Sequence, residues 1–163
     1  ADIILLPEIP YDLDKVIAAI AKRNHDGKGF TILAVAEGAI SKEDSQLSKK
    51  EYKQKRAKSK YPSVSYEIAD RISEKLGSEV RVAVPGHTQR GGSPCPYDRV
   101  LCTRLGSAAA KAIIDDDYGY MIAMINGNTK RVPLADVAGK LKMVDPKSQM
   151  IKEAKRTGIC FGD

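Results

Sequence analysis

Residues 2–38 read DIILLPEIPYDLDKVIAAIAKRNHDGKGFTILAVAEG, and this stretch decides the fold. Its first apolar run, residues 3–6, is typical of strands that are buried on both faces of a parallel sheet. Asp12 is a candidate helix N-cap, and apolar residues recur at helical spacing after it until Asn24 and Gly27. Residues 30–36 then favour a second buried strand. This order predicts a three-layer α/β fold with a mainly parallel sheet flanked by helices.

The rest of the chain continues with helical and strand patterns. The predicted elements are a helix from Ser65 capped by Gly77, a strand over 79–84, a helix capped by Asp98, a strand over 120–125, a turn into residues 130–132, short helices over 136–141 and 146–156, and a tail over 158–163. We expect two lobes, 1–90 with a basic insertion at 41–62, and 91–163 with the carboxy-terminal tail.

The charge of the chain is concentrated in one segment. Of the net charge of +6 over 163 residues, residues 41–60 hold seven lysines and Arg56 against three acidic residues. Since apolar periodicity is absent there, this segment is predicted to be a solvated loop or exposed helix. A basic nucleic-acid-binding domain is an alternative, but aromatic residues interleave with the lysines only at Tyr52 and Tyr61, so no nucleic acid is expected.

Cysteine spacing and hydropathy exclude several classes of protein. The three cysteines form no CxxC pair, so neither a disulfide framework nor a zinc site is indicated. The longest apolar runs are only strand-length and no basic-then-apolar leader is present. We therefore expect a cytoplasmic protein with no membrane partner.

Polar residues and glycines concentrate in Gly86-His-Thr-Gln-Arg-Gly-Gly92. The glycines let the backbone fold tightly around a ligand, Arg90 can hold phosphate oxygens with a bidentate fork, and His87 can add a hydrogen bond. Glu37 follows a predicted strand at its carboxyl end, where ligands bind in open α/β sheets. The pattern suits a sugar phosphate, although a polar surface turn would have the same composition.

The run GHTQRGGSP at residues 86–94, followed by YDRVL at 97–101, resembles the signature of the phosphofructokinase family. Pro7-Glu8, the Ala36-Glu37-Gly38 strand end and Arg81 also occur in the family's order, so the likeness covers nearly the whole chain. The resemblance implies Rossmann-like lobes. It further implies the carboxy-terminal half of a 6-phosphofructokinase, which phosphorylates fructose 6-phosphate in glycolysis.

The resemblance also implies a substrate site. Its implied residues are Glu37, Arg81, His87, Thr88, Gln89 and Arg90. In the family, the residues that match His87 and Arg90 hold the sugar 6-phosphate, and the one that matches Glu37 accepts hydrogen bonds from sugar hydroxyls. The match to Arg81 acts in trans, from a neighbouring identical subunit, so a homodimer or homotetramer is expected.

An effector site is implied less completely. Asp2 and Lys28 match positions that help to hold a nucleotide effector in the allosteric bacterial enzymes. Asp26 and Gly29 stand where those relatives have lysines. This departure puts regulation by an effector in doubt.

The catalytic residues of the family are not found in these 163 residues. The family's GGD loop binds the phosphoryl donor, ATP or pyrophosphate with Mg²⁺, and a TIDND-like segment supplies the aspartate base. Because positioning and charge neutralisation drive phosphoryl transfer, we expect this stretch to be inactive alone and to bind neither donor nor metal, with a missing amino-terminal half as its partner. The alternative is a noncatalytic regulatory subunit that senses the sugar phosphate.

Overall fold

A computed structural model describes all residues, 1–163, and they form two compact units. Unit 1 comprises residues 1–84 and 143–163, and unit 2 comprises residues 85–142. The chain therefore divides after Val84 rather than after residue 90, and the last 21 residues belong with the first unit instead of the second lobe. None of the helices is both long and apolar enough to cross a membrane.

A short parallel sheet lies at the centre of unit 1. Strand β1 (Ile3–Leu5) pairs in parallel with β2 (Leu33–Val35), with Ile3 opposite Leu33 and Leu5 opposite Val35. On the other side of β1, Cys160 forms a parallel bridge to Ile3. Residues 158–163 are thus not a free tail, because the Cys160 backbone bonds to β1 and Phe161 is buried.

The two faces of β1 are covered by different helices, as a three-layer fold requires. Ile3 and Leu5 belong to a core with α1 (Leu13–His25) and α3 (Val64–Leu76). Ile4 and Leu6 pack against a second apolar cluster that includes Ile151 of α6 (Gln149–Arg156). Strand residues point alternately to opposite faces, so a strand that is apolar at every position needs helices on both sides.

Local signals fix the ends of the helices in unit 1. The Asp12 side chain accepts a hydrogen bond from the Asp14 amide at the start of α1. Gly77 ends α3 in the left-handed conformation at φ 61°, as predicted. Between these helices, the basic insertion forms a 3-10 turn (Asp44–Gln46) and α2 (Lys49–Ala57), a helix with no buried residue.

The predicted strand over 79–84 is wrong, since these residues pair with no other strand. A cavity of about 630 Å³ lies between β2 and the segment 78–83, and both line it. The alternating valines of this segment have strand character, but an extended chain becomes a strand only when its N–H and C=O groups reach a partner.

Unit 2 consists of α4 (Pro96–Ile114), the strands β3 (Tyr120–Ile125) and β4 (Asn128–Pro133), and the short α5 (Leu134–Val137). The strands form an antiparallel hairpin through Asn126 and Gly127, both at positive φ. α5 ends at Val137, four residues before the predicted limit of 141, and residues 138–142 are not helical.

The start of α4 differs from the prediction that Asp98 caps it. The helix begins at Pro96, with Cys95 as the N-cap, and Asp98 lies inside the first turn. Proline favours this first helical position because its missing N–H costs nothing there. The Asp98 carboxylate accepts the Cys95 amide at 3.0 Å, and hydrogen bonds from Cys95 lower the pKa of Asp98.

Candidate functional site

Glu37 lies just beyond the carboxyl end of β2, as the sequence predicts. The Ala36 amide still bonds to Leu5 O at 3.0 Å, and the chain then turns, with the Ala39 amide bonding back to Ala36 O at 3.0 Å. Glu37 is exposed, and its carboxylate has no partner within the chain. It is therefore an acceptor that is available to a ligand.

The turn at Glu37 depends on a close contact between the ends of the two strands. A Cβ on Gly38 would lie 3.1 Å from Pro7 Cγ, closer than ordinary van der Waals contact. The glycine lets the turn after β2 approach the end of β1. This contact fixes the backbone beside Glu37 at the edge of the sheet.

His87, Thr88, Gln89 and Arg90 lie in one 3-10 turn (Gly86–Arg90) of unit 2. Gly86, the first residue of the turn, has φ 53°, and Gly92, two residues after the turn, has φ 90°, a conformation that favours glycine. The Thr88 amide and hydroxyl both donate to Pro85 O, at 3.0 and 2.5 Å. Thr88 therefore stabilises the turn.

The other three side chains of this turn are exposed and unbonded. An imidazole at 87, an amide at 89 and a guanidinium at 90 thus stand within one helical turn with their donors free. Arginine presents its five N–H donors as a fixed fork that matches phosphate oxygens. The turn is chemically suited to hold an anion.

Arg81 lies in the unpaired segment of unit 1 and borders the cavity of about 630 Å³. Its side chain is 86% exposed, and Nε donates to Glu79 Oε1 at 2.8 Å. An exposed ion pair of this kind contributes little free energy, so the guanidinium can exchange partners easily.

Asp2 and Lys28, the predicted effector residues, lie near the amino ends of β1 and β2. Asp2 Oδ2 accepts the Ile32 amide at 2.8 Å, and Oδ1 pairs with the Arg23 guanidinium at 2.8 Å. The Asp2 carboxylate therefore has an internal role, joining β1 to α1 and to the chain that enters β2. Lys28 is exposed and has no ion pair.

Glu8 was not among the predicted site residues. One of its carboxylate oxygens accepts the Val144 amide at 2.9 Å, and the other is buried without a partner. An acidic residue directly after Pro7, at the carboxyl end of β1, was the available signal. Glu37 and Arg81 belong to unit 1 and residues 86–92 to unit 2, so their convergence on one ligand stays a prediction.

A family profile described as Phosphofructokinase matches residues 1–113. The chain belongs to the phosphofructokinase family. An ATP-dependent 6-phosphofructokinase from Spirochaeta thermophila is 49% identical over 162 residues, covering 99% of this chain and 44% of the relative. One from Chloroflexus aurantiacus is 39% identical over 163 residues and is covered to the same 44%. This phosphofructokinase chain thus spans less than half the length of these curated relatives.

Solved phosphofructokinases have the same fold. The pyrophosphate-dependent phosphofructokinase from Nitrosospira multiformis matches 99% of the chain with a TM-score of 0.66 and 20% identity, over 41% of its own length. That from Marinobacter aquaeolei matches 98% with a TM-score of 0.67 and 18% identity. The α/β fold predicted from residues 2–38 is therefore confirmed.

Proposed function

We propose that this chain supplies the fructose 6-phosphate-binding part of a 6-phosphofructokinase. The observation that carries the proposal is the exposed turn Gly86–Arg90, which presents an imidazole and a guanidinium with no partner of their own. Arg90 holds two oxygens of the sugar phosphate and His87 donates to a third, while Gln89 adds an amide donor. Thr88 contributes indirectly, because its hydrogen bonds to Pro85 O stabilise the turn that carries the other three side chains.

Glu37 has the complementary role in this proposal. A carboxylate would repel a phosphate dianion, so it faces the neutral end of the substrate and accepts hydrogen bonds from sugar hydroxyls. The phosphoryl donor proposed for the complete enzyme is ATP with Mg²⁺. Relatives at 39–49% identity are named ATP-dependent, whereas those titled pyrophosphate-dependent are only 18–20% identical.

The residues of this chain do not fit the donor or its metal. No GGD loop and no TIDND-like segment occur in the sequence, and no group of three His, Cys, Asp or Glu side chains could hold a metal ion. We therefore infer that these 163 residues bind the sugar phosphate but transfer no phosphoryl group alone.

Titration calorimetry with fructose 6-phosphate tests the binding role. We expect Arg90→Ala to weaken binding at least about tenfold, because it removes a bidentate charged contact. Arg156→Ala, an exposed arginine at the end of α6 with no ion pair, is the matched control and should leave the affinity unchanged. Equal affinity of Arg90→Ala and the parent chain would refute the assignment.

A coupled assay for fructose 1,6-bisphosphate tests the inferred inactivity. With either ATP or pyrophosphate as donor, we expect no product from the 163-residue chain. Product formed at a rate proportional to the chain concentration would show that these residues contain a donor site and a base that we have not recognised.

The proposed role of Arg81 is in trans, toward the substrate of a neighbouring identical subunit in a homodimer or homotetramer. Mixing Arg81→Ala and Arg90→Ala subunits of the complete enzyme should restore activity. Each site takes Arg90 from one subunit and Arg81 from its neighbour, so in a mixed oligomer some sites contain both substitutions and others contain neither. Mixed oligomers with no more activity than either parent variant would reduce Arg81 to a surface residue.

A further inference from the structure

A polar cavity of about 220 Å³ lies in unit 1. Neither Glu37 nor Arg81 lines it. It is bounded by the start of α1, one face of α3 and the basic insertion, and only Leu13 and Ile68 among its lining residues are apolar. At ~30 Å³ for each water, it has room for about seven waters or one small organic molecule.

Tyr11 lines this cavity with an unused hydroxyl. The residue is only 6% exposed, and its hydroxyl makes no hydrogen bond within the chain. The only fully buried side-chain oxygens without a partner belong to Glu8 and Ser63, so the Tyr11 hydroxyl is open to the cavity. It is therefore available to hydrogen-bond with a molecule that enters the cavity.

Tyr11 is held in place by its backbone and by Gly162. The Tyr11 amide donates to Ile40 O at 3.0 Å, and the Lys42 amide donates to Tyr11 O at 2.8 Å. A Cβ on Gly162 would lie 2.8 Å from Tyr11 Cβ, so any larger residue would displace the tyrosine. The backbone and Cβ of Tyr11 are therefore fixed beside the cavity.

Most of the charged groups around the cavity are already paired. Asp44 pairs with Lys55, Glu67 with Arg71 at 3.0 Å and with Arg56 at 3.0 Å, and Asp14 with Lys75 at 2.5 Å. These ion pairs neutralise much of the charge around the cavity.

Three charged lining residues remain outside these pairs. Glu43 has no ion pair, and Asp12 uses only one carboxylate oxygen, for the Asp14 amide. Lys42 is the single unpaired cation. Burial first, and then the negative charge of Glu67, raise the pKa of Tyr11 to about 12, while the positive charge of Arg71 opposes this rise.

We propose that this cavity binds a small organic molecule carrying a primary ammonium group. An ammonium group has three N–H donors and no acceptor. The lining offers acceptors that no protein group uses, namely the Tyr11 hydroxyl, the second oxygen of Asp12 and the Glu43 carboxylate. Lys42 can meet a hydroxyl or carboxylate at the other end of such a molecule.

This site gives the basic insertion a function. Ser41, Lys42, Glu43 and Asp44 come from its beginning, and Lys55 of α2 pairs with Asp44 at the cavity wall. Without these residues the cavity would be open on one side. The exposed lysines of α2 are then the solvated outer surface of an element whose inner side closes the binding site.

Amide NMR spectra of the whole chain, titrated with 2-aminoethanol to about 20 mM, test the proposal. We expect saturable shifts confined to amides around the cavity, such as Asp14, Ser41 and Asp44. Ethane-1,2-diol, the neutral analogue, should produce none. Shifts of equal size with the diol, or no localised shift with the amine, would mean that the cavity holds only water and would overturn the proposal.

Variants separate the cavity from nonspecific binding of the amine. Tyr11→Phe keeps the ring and should weaken binding about tenfold, since one hydrogen bond to a charged donor is lost. Glu43→Gln, at an exposed position, should weaken it about threefold without threatening the fold. Tyr97→Phe, an exposed tyrosine of unit 2, is the control. Affinities unchanged in both cavity variants would refute the site.

Discussion

Units 1 and 2 differ in how they use apolar residues. In unit 1, Ile3, Leu5 and Val16 are completely buried, because β1 has helices on both faces. In unit 2, Ala112 is the only buried hydrophobic residue. Ile114 is 78% exposed, although it lies on a helix as apolar as those of unit 1. An apolar helix face becomes a core only where a second layer covers it.

The largest difference should appear when one apolar side chain is truncated in each unit. Leu5→Ala should lower the free energy of unfolding by about 3–4 kcal/mol, because it leaves a cavity at a completely buried position. Ile114→Ala should lower it by less than about 0.5 kcal/mol. Urea unfolding followed by far-UV circular dichroism measures both. Similar losses in the two variants would contradict the contrast between the units.

The pH dependence of stability offers a second test, specific to the core of unit 1. Burial, and then the charge of Glu67, raise the pKa of Tyr11 from 10.0 to about 12. On unfolding, this pKa returns to its usual value, so between pH 10 and 12 the unfolded chain releases a proton that the folded chain keeps. The stabilising contribution is complete below pH 10 and is lost as the pH rises toward 12.

This contribution is at most about 2.7 kcal/mol, and Tyr11→Phe removes it. Urea unfolding between pH 9 and 12 should therefore show a steeper loss of stability in the parent chain than in the variant. Tyr97→Phe, exposed in unit 2, should follow the parent. Parallel curves for the parent and Tyr11→Phe would show that the phenol is not held in its neutral form.

Hydrogen exchange compares the two units without mutation. Amides in the middle of α1 and α3 should exchange at least about tenfold more slowly than those of α4, because local opening of α4 exposes little additional apolar surface. Mass spectrometry of peptides after exchange in D₂O measures this ratio. Equal protection of the three helices would indicate that unit 2 gains stability from contacts that its own residues do not reveal.

The smallest effects, of opposite sign, should come from one substitution made in both units. Gly77→Ala places a Cβ at φ 61° and should cost about 1 kcal/mol. Gly106→Ala, in the middle of α4 with no atom within 4 Å of the added Cβ, should stabilise by about 0.5–1 kcal/mol. Thermal unfolding of both variants gives the signs, and a loss of stability at Gly106 would contradict the open surroundings of α4.

Local patterns in the sequence were sufficient for the elements whose partners are other helices or strands nearby. The spacing of Ile68 and Ile72 gave α3, and Gly77 gave its end. The two apolar runs gave β1 and β2, with Glu37 at the strand end. In each case the buried residues and the residues that end the helix or strand lie close together in the sequence.

The features that the sequence did not predict correctly depend on contacts with residues outside the local segment. Val80, Val82 and Val84 alternate as in a strand, yet no strand forms, because pairing needs a neighbour at hydrogen-bonding distance. Cys160 pairs beside Ile3 across almost the whole chain, which no local pattern could indicate. The unbonded hydroxyl of Tyr11 likewise depends on what surrounds it rather than on its own segment.

The bridge between Ile3 and Cys160 has a consequence for the order of events during synthesis. Both β2 and Cys160, which pair with β1 on its two edges, follow it in the chain, and Cys160 is made 157 residues after Ile3. At about 5–20 residues per second, a ribosome needs on the order of ten seconds to progress from β1 to Cys160. Until Cys160 is made, the edge of β1 that it covers has no strand partner.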